Sequence, residues 1–130
     1  MKRREAREKS LQALYQIDIT NSNAEEAMES VLDGAPTDNY FKKLVMGITE
    51  NREQIDGMIR DNLENWTLER LANIDRNLLR IAVYEMVHSE DVPVSVAMNE
   101  AIEIAKKFGD DQSSSFVNAV LSKVKVKSGS

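Results

Sequence analysis

Apolar residues recur at helical spacing along almost the whole chain, and most densely from Leu71 to Val87. Placed on a helix at about 100° per residue, Asn73, Arg76, Asn77, Arg80 and Tyr84 fall on one side. Leu71, Ile74, Leu78, Leu79, Ile81, Ala82, Val83 and Met86 cover the rest. An apolar surface that wide has to be covered by several other helices, so this stretch is expected to be the central element of an all-α domain.

The flanking segments supply those helices. Arg3 to Ile19 reads as a helix with Ala6, Ser10, Ala13, Leu14 and Ile17 inward, and Arg3, Arg7 and Glu8 on its outer side. Asn21-Ser22-Asn23 breaks it and offers a cap for a short helix from Ala24 to Asp33, closed by Gly34-Ala35-Pro36. Thr37 or Asp38 caps a longer pattern running to about Asn65, with a bend expected near Thr49 to Arg52. A short turn from Trp66 ends at Asn73, and the central helix then starts near Ile74, with Asp75 in its first turn where a carboxylate is favoured. Pro93 permits a new start for a helix from Val94 to Phe108, with Val96, Ala97, Ala101, Ile104, Ala105 and Phe108 inward and Gly109 as its C′ residue. Asp110 or Asp111 caps a final helix carrying Phe116, Val117, Val120, Leu121 and Val124, and Lys125 to Ser130 is expected to fray. No strand pattern, internal repeat or low-complexity linker interrupts this series. The layout is one domain over 1–130, with helical sub-bundles at about 1–65 and 66–127 that dock without a flexible spacer and a frayed tail at 128–130.

Composition narrows the function. A chain of 130 residues buries roughly two-thirds of its unfolded surface without help. Cysteine is absent, which removes disulfide, thiol and Cys-type zinc chemistry and suits a reducing cytoplasm. The basic opening MKRREAREKS lacks a following apolar region, and no run approaches ~20 apolar residues, so neither export nor a membrane span is expected. A formal net charge of −5 argues against bulk attraction to nucleic acid. Any such role must be local, and local charge is uneven. Lys106 with Lys107, and Lys123 with Lys125 and Lys127, suit helix C-termini. Lys2, Arg3, Arg4, Arg7 and Lys9 instead open a helix, facing the positive end of its dipole, so phosphate binding competes there with a purely solvated face.

Catalytic motifs are missing. The phosphate-loop, dinucleotide and nucleophile-elbow glycine patterns do not occur. His88, the single histidine, sits at a helix end where its charge suits the dipole. Glu100 and Glu103 share one side of a helix but read as a solvated arc, and Gly109-Asp110-Asp111 reads as a C′ glycine followed by N-cap aspartates, so no metal or cofactor is expected. Trp66, Tyr40 and Phe41 read as core or as the seam between sub-bundles. Tyr15, Phe108 and Phe116 lie near basic clusters or helix ends, where an aromatic either packs inward or stacks an unpaired base.

Three blocks together carry a resemblance: RREAREKSLQALYQID at Arg3–Asp18, LANIDRNLLRIAVYEM at Leu71–Met86 and VPVSVAMNEAIEIAKKFGDDQSSSFVNAVLSKV at Val92–Val124. In this order and at this length they resemble the NusB family of bacterial transcription antitermination factors. The resemblance implies an all-α fold of two perpendicularly packed three-helix bundles with about six to seven helices. It implies binding of boxA RNA together with NusE, a small-subunit ribosomal protein, within the RNA polymerase antitermination complex of ribosomal RNA operons.

Residue by residue, the resemblance implies RNA-binding roles for Arg4 and Arg7, with Lys2 and Arg3 alongside, and for Tyr15, Phe108 and Phe116. Lys106, Lys107 and Asn118 are further RNA-binding candidates. Arg7→Ala is then expected to weaken RNA binding while leaving folding intact. Asp75, exposed at a helix start, and Tyr15 would meet NusE. The position after the Phe-Gly-acid-acid run, often acidic in the family, is Gln112 here, with Asp110 or Asp111 as substitutes. Two alternatives remain: a helical module of the type fused to ribosomal RNA methyltransferases, for which the chain has no catalytic half, and a protein that forms homodimers when RNA is absent.

Overall fold

The computed structural model describes residues 1–127. Among these the chain forms seven α-helices and one 3₁₀ turn, with no strand. They are α1 (Arg3–Thr20), α2 (Ala24–Leu32), α3 (Asn39–Glu50), α4 (Arg52–Arg60), the 3₁₀ turn (Leu68–Arg70), α5 (Asn73–His88), α6 (Val94–Phe108) and α7 (Ser113–Lys127). The expected tail at 128–130 lies outside the described residues. Lys125 to Lys127, expected to fray, continue α7.

Local chemistry explains most boundaries. Asn21 ends α1 in the left-handed conformation at φ 57°, one that asparagine tolerates. The Asn23 side chain accepts from the Glu26 N–H at the start of α2, and Asp38 accepts from the Tyr40 and Phe41 N–H groups at the start of α3. The long expected helix divides at Asn51 and ends at Arg60 rather than near Asn65. Asn73 opens α5 instead of closing the preceding turn, because the Arg76 N–H already bonds the Ala72 carbonyl.

Helix α5 is the centre: it packs on α1, α3, α4, α6 and α7. One core cluster gathers Leu11 and Leu14 of α1, Leu44 and Ile48 of α3, Ile55 and Ile59 of α4, and Leu78, Leu79 and Val83 of α5 with Ile104 and Leu121. A smaller cluster of Ala6, Ala13, Ala27, Met28, Phe41 and Val45 ties α1, α2 and α3 together. Gly47 of α3 lets this packing close, because a Cβ there would run into the Tyr84 ring. Gly109 works in a similar way. It is extended at φ −89° and ψ −173° rather than left-handed as expected, and a Cβ on it would meet the Ser113 side chain and lie 2.8 Å from the Ala105 carbonyl.

The polar strip of α5 does not face water. Arg80 Nε donates to Asp56 of α4 at 2.8 Å and its Nη1 to Asp18 of α1 at 2.8 Å, with Asn77 donating to Asp18 at 3.1 Å. Arg76 and Arg52 also reach Asp18, at 3.2 and 3.0 Å. This network ties the C-terminal end of α1 to α4 and α5. Burial would raise the Asp18 carboxyl, but the charges of Arg80 and Arg52 and the Asn77 hydrogen bond outweigh it and hold its pKa below the ordinary carboxylate value. Three residues expected inward are instead exposed: Val96, Phe108 and Trp66, the last at 58%.

Candidate nucleic-acid interface

The basic opening of α1 meets α6 through side-chain ion pairs, and these sort its arginines. Arg4 stays at the surface, where its Nε donates to Glu100 of α6 at 2.7 Å. Arg3, also exposed, donates to Asp91 at 2.8 Å and lays its guanidinium over the Tyr40 ring, 3.9 Å from the centroid. Arg7 differs. It was expected on the outer side of the helix but is 3% exposed, with Nε and Nη2 donating to Glu85 of α5 at 2.9 Å and Nη1 to Glu100 at 3.0 Å.

Glu85 is buried and also accepts from the Tyr40 hydroxyl. Burial and this hydrogen bond push the Tyr40 phenol up to about 12. Arg7 is therefore held inside as a bridge between α5 and α6. The hydrogen bonds from Arg4 outweigh the cost of burial at Glu100 and hold its carboxyl below the usual range. The charge at the start of α1 thus has partners in the fold, which the helix dipole alone did not supply.

The same seam continues toward the end of α6. Lys107 donates to Glu8 at 3.1 Å and stands 5.1 Å from the centre of the Phe108 ring, while Lys106 pairs with Glu103 at 3.0 Å. Next to them Glu8, Leu11, Gln12, Tyr15, Ile74 and Phe108 line an open groove of about 380 Å³. Tyr15 and Phe108 are 40% and 41% exposed, so neither is consumed by the core. The structure brings Arg4, Tyr15, Lys107 and Phe108 of the expected residues together between α1 and α6, whereas Arg3 sits on Asp91 and Tyr40 and Lys106 on Glu103 of its own helix. Lys2 is exposed at the start of α1. Glu8 and Glu100, which hold Lys107 and Arg4, were read from sequence only as solvated positions, and Glu85, which holds Arg7, was not singled out. Their partners lie far away in the chain, and one helix's periodicity carries no trace of them.

A second cavity of about 520 Å³ opens beside the start of α5, lined by Trp66, Leu71, Asp75, Asp110, Gln112 and Phe116 among others. Four expected residues, Asp75, Asp110, Gln112 and Phe116, meet there. Asp111 is exposed but does not line the cavity, and Asn118, exposed on α7, lines neither concavity. Asp110 accepts from the Gln112 N–H at 2.8 Å, which fixes the turn into α7.

Asp75 departs from the expectation of an exposed carboxylate. It is buried at 9% exposure, and its Oδ1 has no hydrogen-bond partner. Burial raises its pKa, partly offset by the Ser113 hydroxyl and reinforced by Asp110. Trp66, read from its apolar character as core or as the seam between sub-bundles, stands instead exposed on the rim. Among the described residues no group of three or more His, Cys, Asp or Glu is placed to hold a metal. No helix there is long and apolar enough to cross a membrane.

The model of the NusB family matches residues 4–125. Transcription antitermination protein NusB of Bacillus licheniformis is 57% identical over 125 residues, covering 96% of this chain and 97% of that protein. The Bacillus subtilis protein of the same name is 56% identical, covering 96% and 95%. Among solved structures, T. maritima NusB superposes with a TM-score of 0.89 at 36% identity, covering 98% of this chain and 92% of that one. A chain of the crystal structure of antitermination factors NusB and NusE in complex with dsRNA gives 0.86 at 28% identity, covering 96% of each. With a family match across nearly its whole length and the all-helical fold that goes with it, the chain belongs to the NusB family.

Proposed function

We propose that this chain is a transcription antitermination factor that binds boxA-type RNA together with NusE and supports transcription of ribosomal RNA operons in the cytoplasm, with no catalytic role. The observation that carries the reading is the α1–α6 seam, where exposed arginines and lysines border a groove holding two exposed aromatic rings. That pairing of cations with stacking surfaces suits single-stranded RNA, whose backbone needs cations and whose unpaired bases need flat apolar faces. Lys2, Arg3, Arg4, Lys106 and Lys107 take phosphates, and Tyr15 and Phe108 take bases. Arg7 serves from inside as the residue that positions α1 against α6. NusE docks at the neighbouring cavity on Asp75, Asp110 and Gln112, and Phe116, expected to bind RNA, lines that cavity rather than the groove. Ile74 lines the groove and Asp75 the cavity, so the two partners would share a border at the start of α5.

Equilibrium binding of fluorescent boxA RNA and a scrambled control, with and without NusE across a salt series, tests this. Preference for boxA that sharpens with NusE is expected. Equal weak binding to both RNAs in every condition would contradict it and favour self-association through the exposed Tyr15 and Phe108, which concentration-dependent sedimentation would then reveal.

A further inference from the structure

The cations assigned to RNA are not idle in the free protein. Arg4 holds Glu100, Lys107 holds Glu8, Lys106 holds Glu103 and Arg3 holds Asp91, at 2.7, 3.1, 3.0 and 2.8 Å. Glu100 and Glu8 are partly buried between α1 and α6, so these two carboxylates stay beside the seam when their partners turn away. We infer that Glu100 and Glu8 determine specificity at the RNA face: they compete with phosphate for Arg4 and Lys107, so a strand binds only where enough contacts form together to displace them. This rests on the function proposed above.

The physical consequence is an exchange. A phosphate that takes Lys107 releases counterions from the RNA, but Glu8, left without its ammonium, takes up a cation from solution; Glu100, which keeps Arg7 at 3.0 Å when Arg4 leaves, does so less. The two changes partly cancel. Wild-type binding is therefore less salt-dependent than its number of phosphate contacts implies. A strand that meets only one or two cations must also break ion pairs already made. A strand that also stacks on Tyr15 and Phe108 has a further source of affinity. The carboxylates thus penalise generic binding more than matched binding.

The test is binding of boxA and scrambled RNA across a salt series to the wild type, Glu100→Gln, Glu8→Gln and a control, Glu64→Gln. Glu64 pairs with Lys123 at 2.7 Å at the junction of α4 and α7, away from the seam, and its change alters net charge equally. For Glu100→Gln and Glu8→Gln the expected result at low salt is affinity for scrambled RNA raised about twofold to fivefold. A smaller gain is expected for boxA, with a salt slope steeper by up to about one ion, more in Glu8→Gln than in Glu100→Gln. Glu64→Gln is expected to match the wild type. Weaker binding by Glu100→Gln and Glu8→Gln would show that the carboxylates position the cations rather than compete for them, and would overturn the inference, as would unchanged affinity and slope. An equal gain in Glu64→Gln would assign the effect to net charge and overturn it as well. Wild-type protein that fails to prefer boxA would instead remove the functional reading beneath it, a separable outcome.

Discussion

Two sets of arginine–carboxylate pairs in this protein use the same chemistry and differ in depth. Around Arg80, Asp18 and Asp56, and around Arg7 and Glu85, the charges are buried and joined by several hydrogen bonds each. Along the seam, Arg3 and Arg4 and Lys106 and Lys107 reach their partners from the surface. Removing one partner of a buried pair leaves an uncompensated charge in a poorly hydrated site, whereas an exposed pair exchanges readily with water and salt. Burial therefore decides which arginines hold the fold and which remain able to take a phosphate. Arg4 and Arg7, three residues apart on α1, fall on opposite sides of that division.

Substitution should separate the two sets most sharply. Arg80→Ala and Arg7→Ala are each expected to lower unfolding stability by about 3–5 kcal/mol in urea titrations. The corresponding loss for Arg4→Ala should stay below about 1 kcal/mol. An Arg7→Ala protein as stable as the wild type would erase the distinction and restore the outward placement expected from sequence.

Acid probes the buried set next. The folded-state pKa of Asp18 lies below its unfolded value, so its ionised form stabilises the fold above the unfolded pKa, and that contribution is lost as pH falls through the folded value. Unfolding followed from neutral pH down through about pH 4 and below should show a steeper loss in the wild type than in Asp18→Asn. Parallel curves would mean that the network carries no such linkage.

Function probes the exposed set. Arg4→Ala is expected to bind boxA RNA more weakly, with a salt slope reduced by up to about 0.7, the contribution of one single-strand phosphate without any exchange with Glu100. Unchanged affinity and slope would remove Arg4 from the phosphate path.

The smallest expected effect is at Asp75. Its folded-state pKa is raised, so the ionised form is penalised in the fold above that value and the penalty lifts as pH falls below the unfolded pKa. Asp75→Asn should therefore be as stable as the wild type or more stable by about 1 kcal/mol at neutral pH, while NusE binding weakens more than RNA binding alone. Destabilisation by this change would mean that the carboxylate's contact with Ser113 outweighs the cost of burying its charge.

Periodicity made the helices readable. The bounds of α6, the position of α5 at the centre and the caps at Asn23 and Asp38 all follow from residue spacing and capping chemistry. Periodicity also grouped Arg76, Asn77 and Arg80 on one face. It could not tell that Asp18 and Asp56 would cover that face, since an opposing charge on another helix leaves no mark in the local pattern. Arg7 was misplaced for the same reason, its Glu85 partner lying 78 residues away. Trp66 and Phe108 failed in the other direction. Apolar character favoured burial for both, and only the packed structure shows them exposed beside open concavities. The basic cluster at the start of α1 was legible as an anomaly, but the carboxylates that hold it were not.

The most direct test of this division is an ¹H–¹⁵N NMR titration of the full chain with boxA RNA. Shifts are expected to concentrate at Arg4, Glu8, Tyr15, Glu100, Lys107 and Phe108, with the amides of Asp56 and Arg80 nearly unmoved. Shifts centred instead on Arg80, Arg52 and Asp56, or spread evenly over the surface, would contradict the assignment of the exposed seam to RNA and of the buried network to the fold.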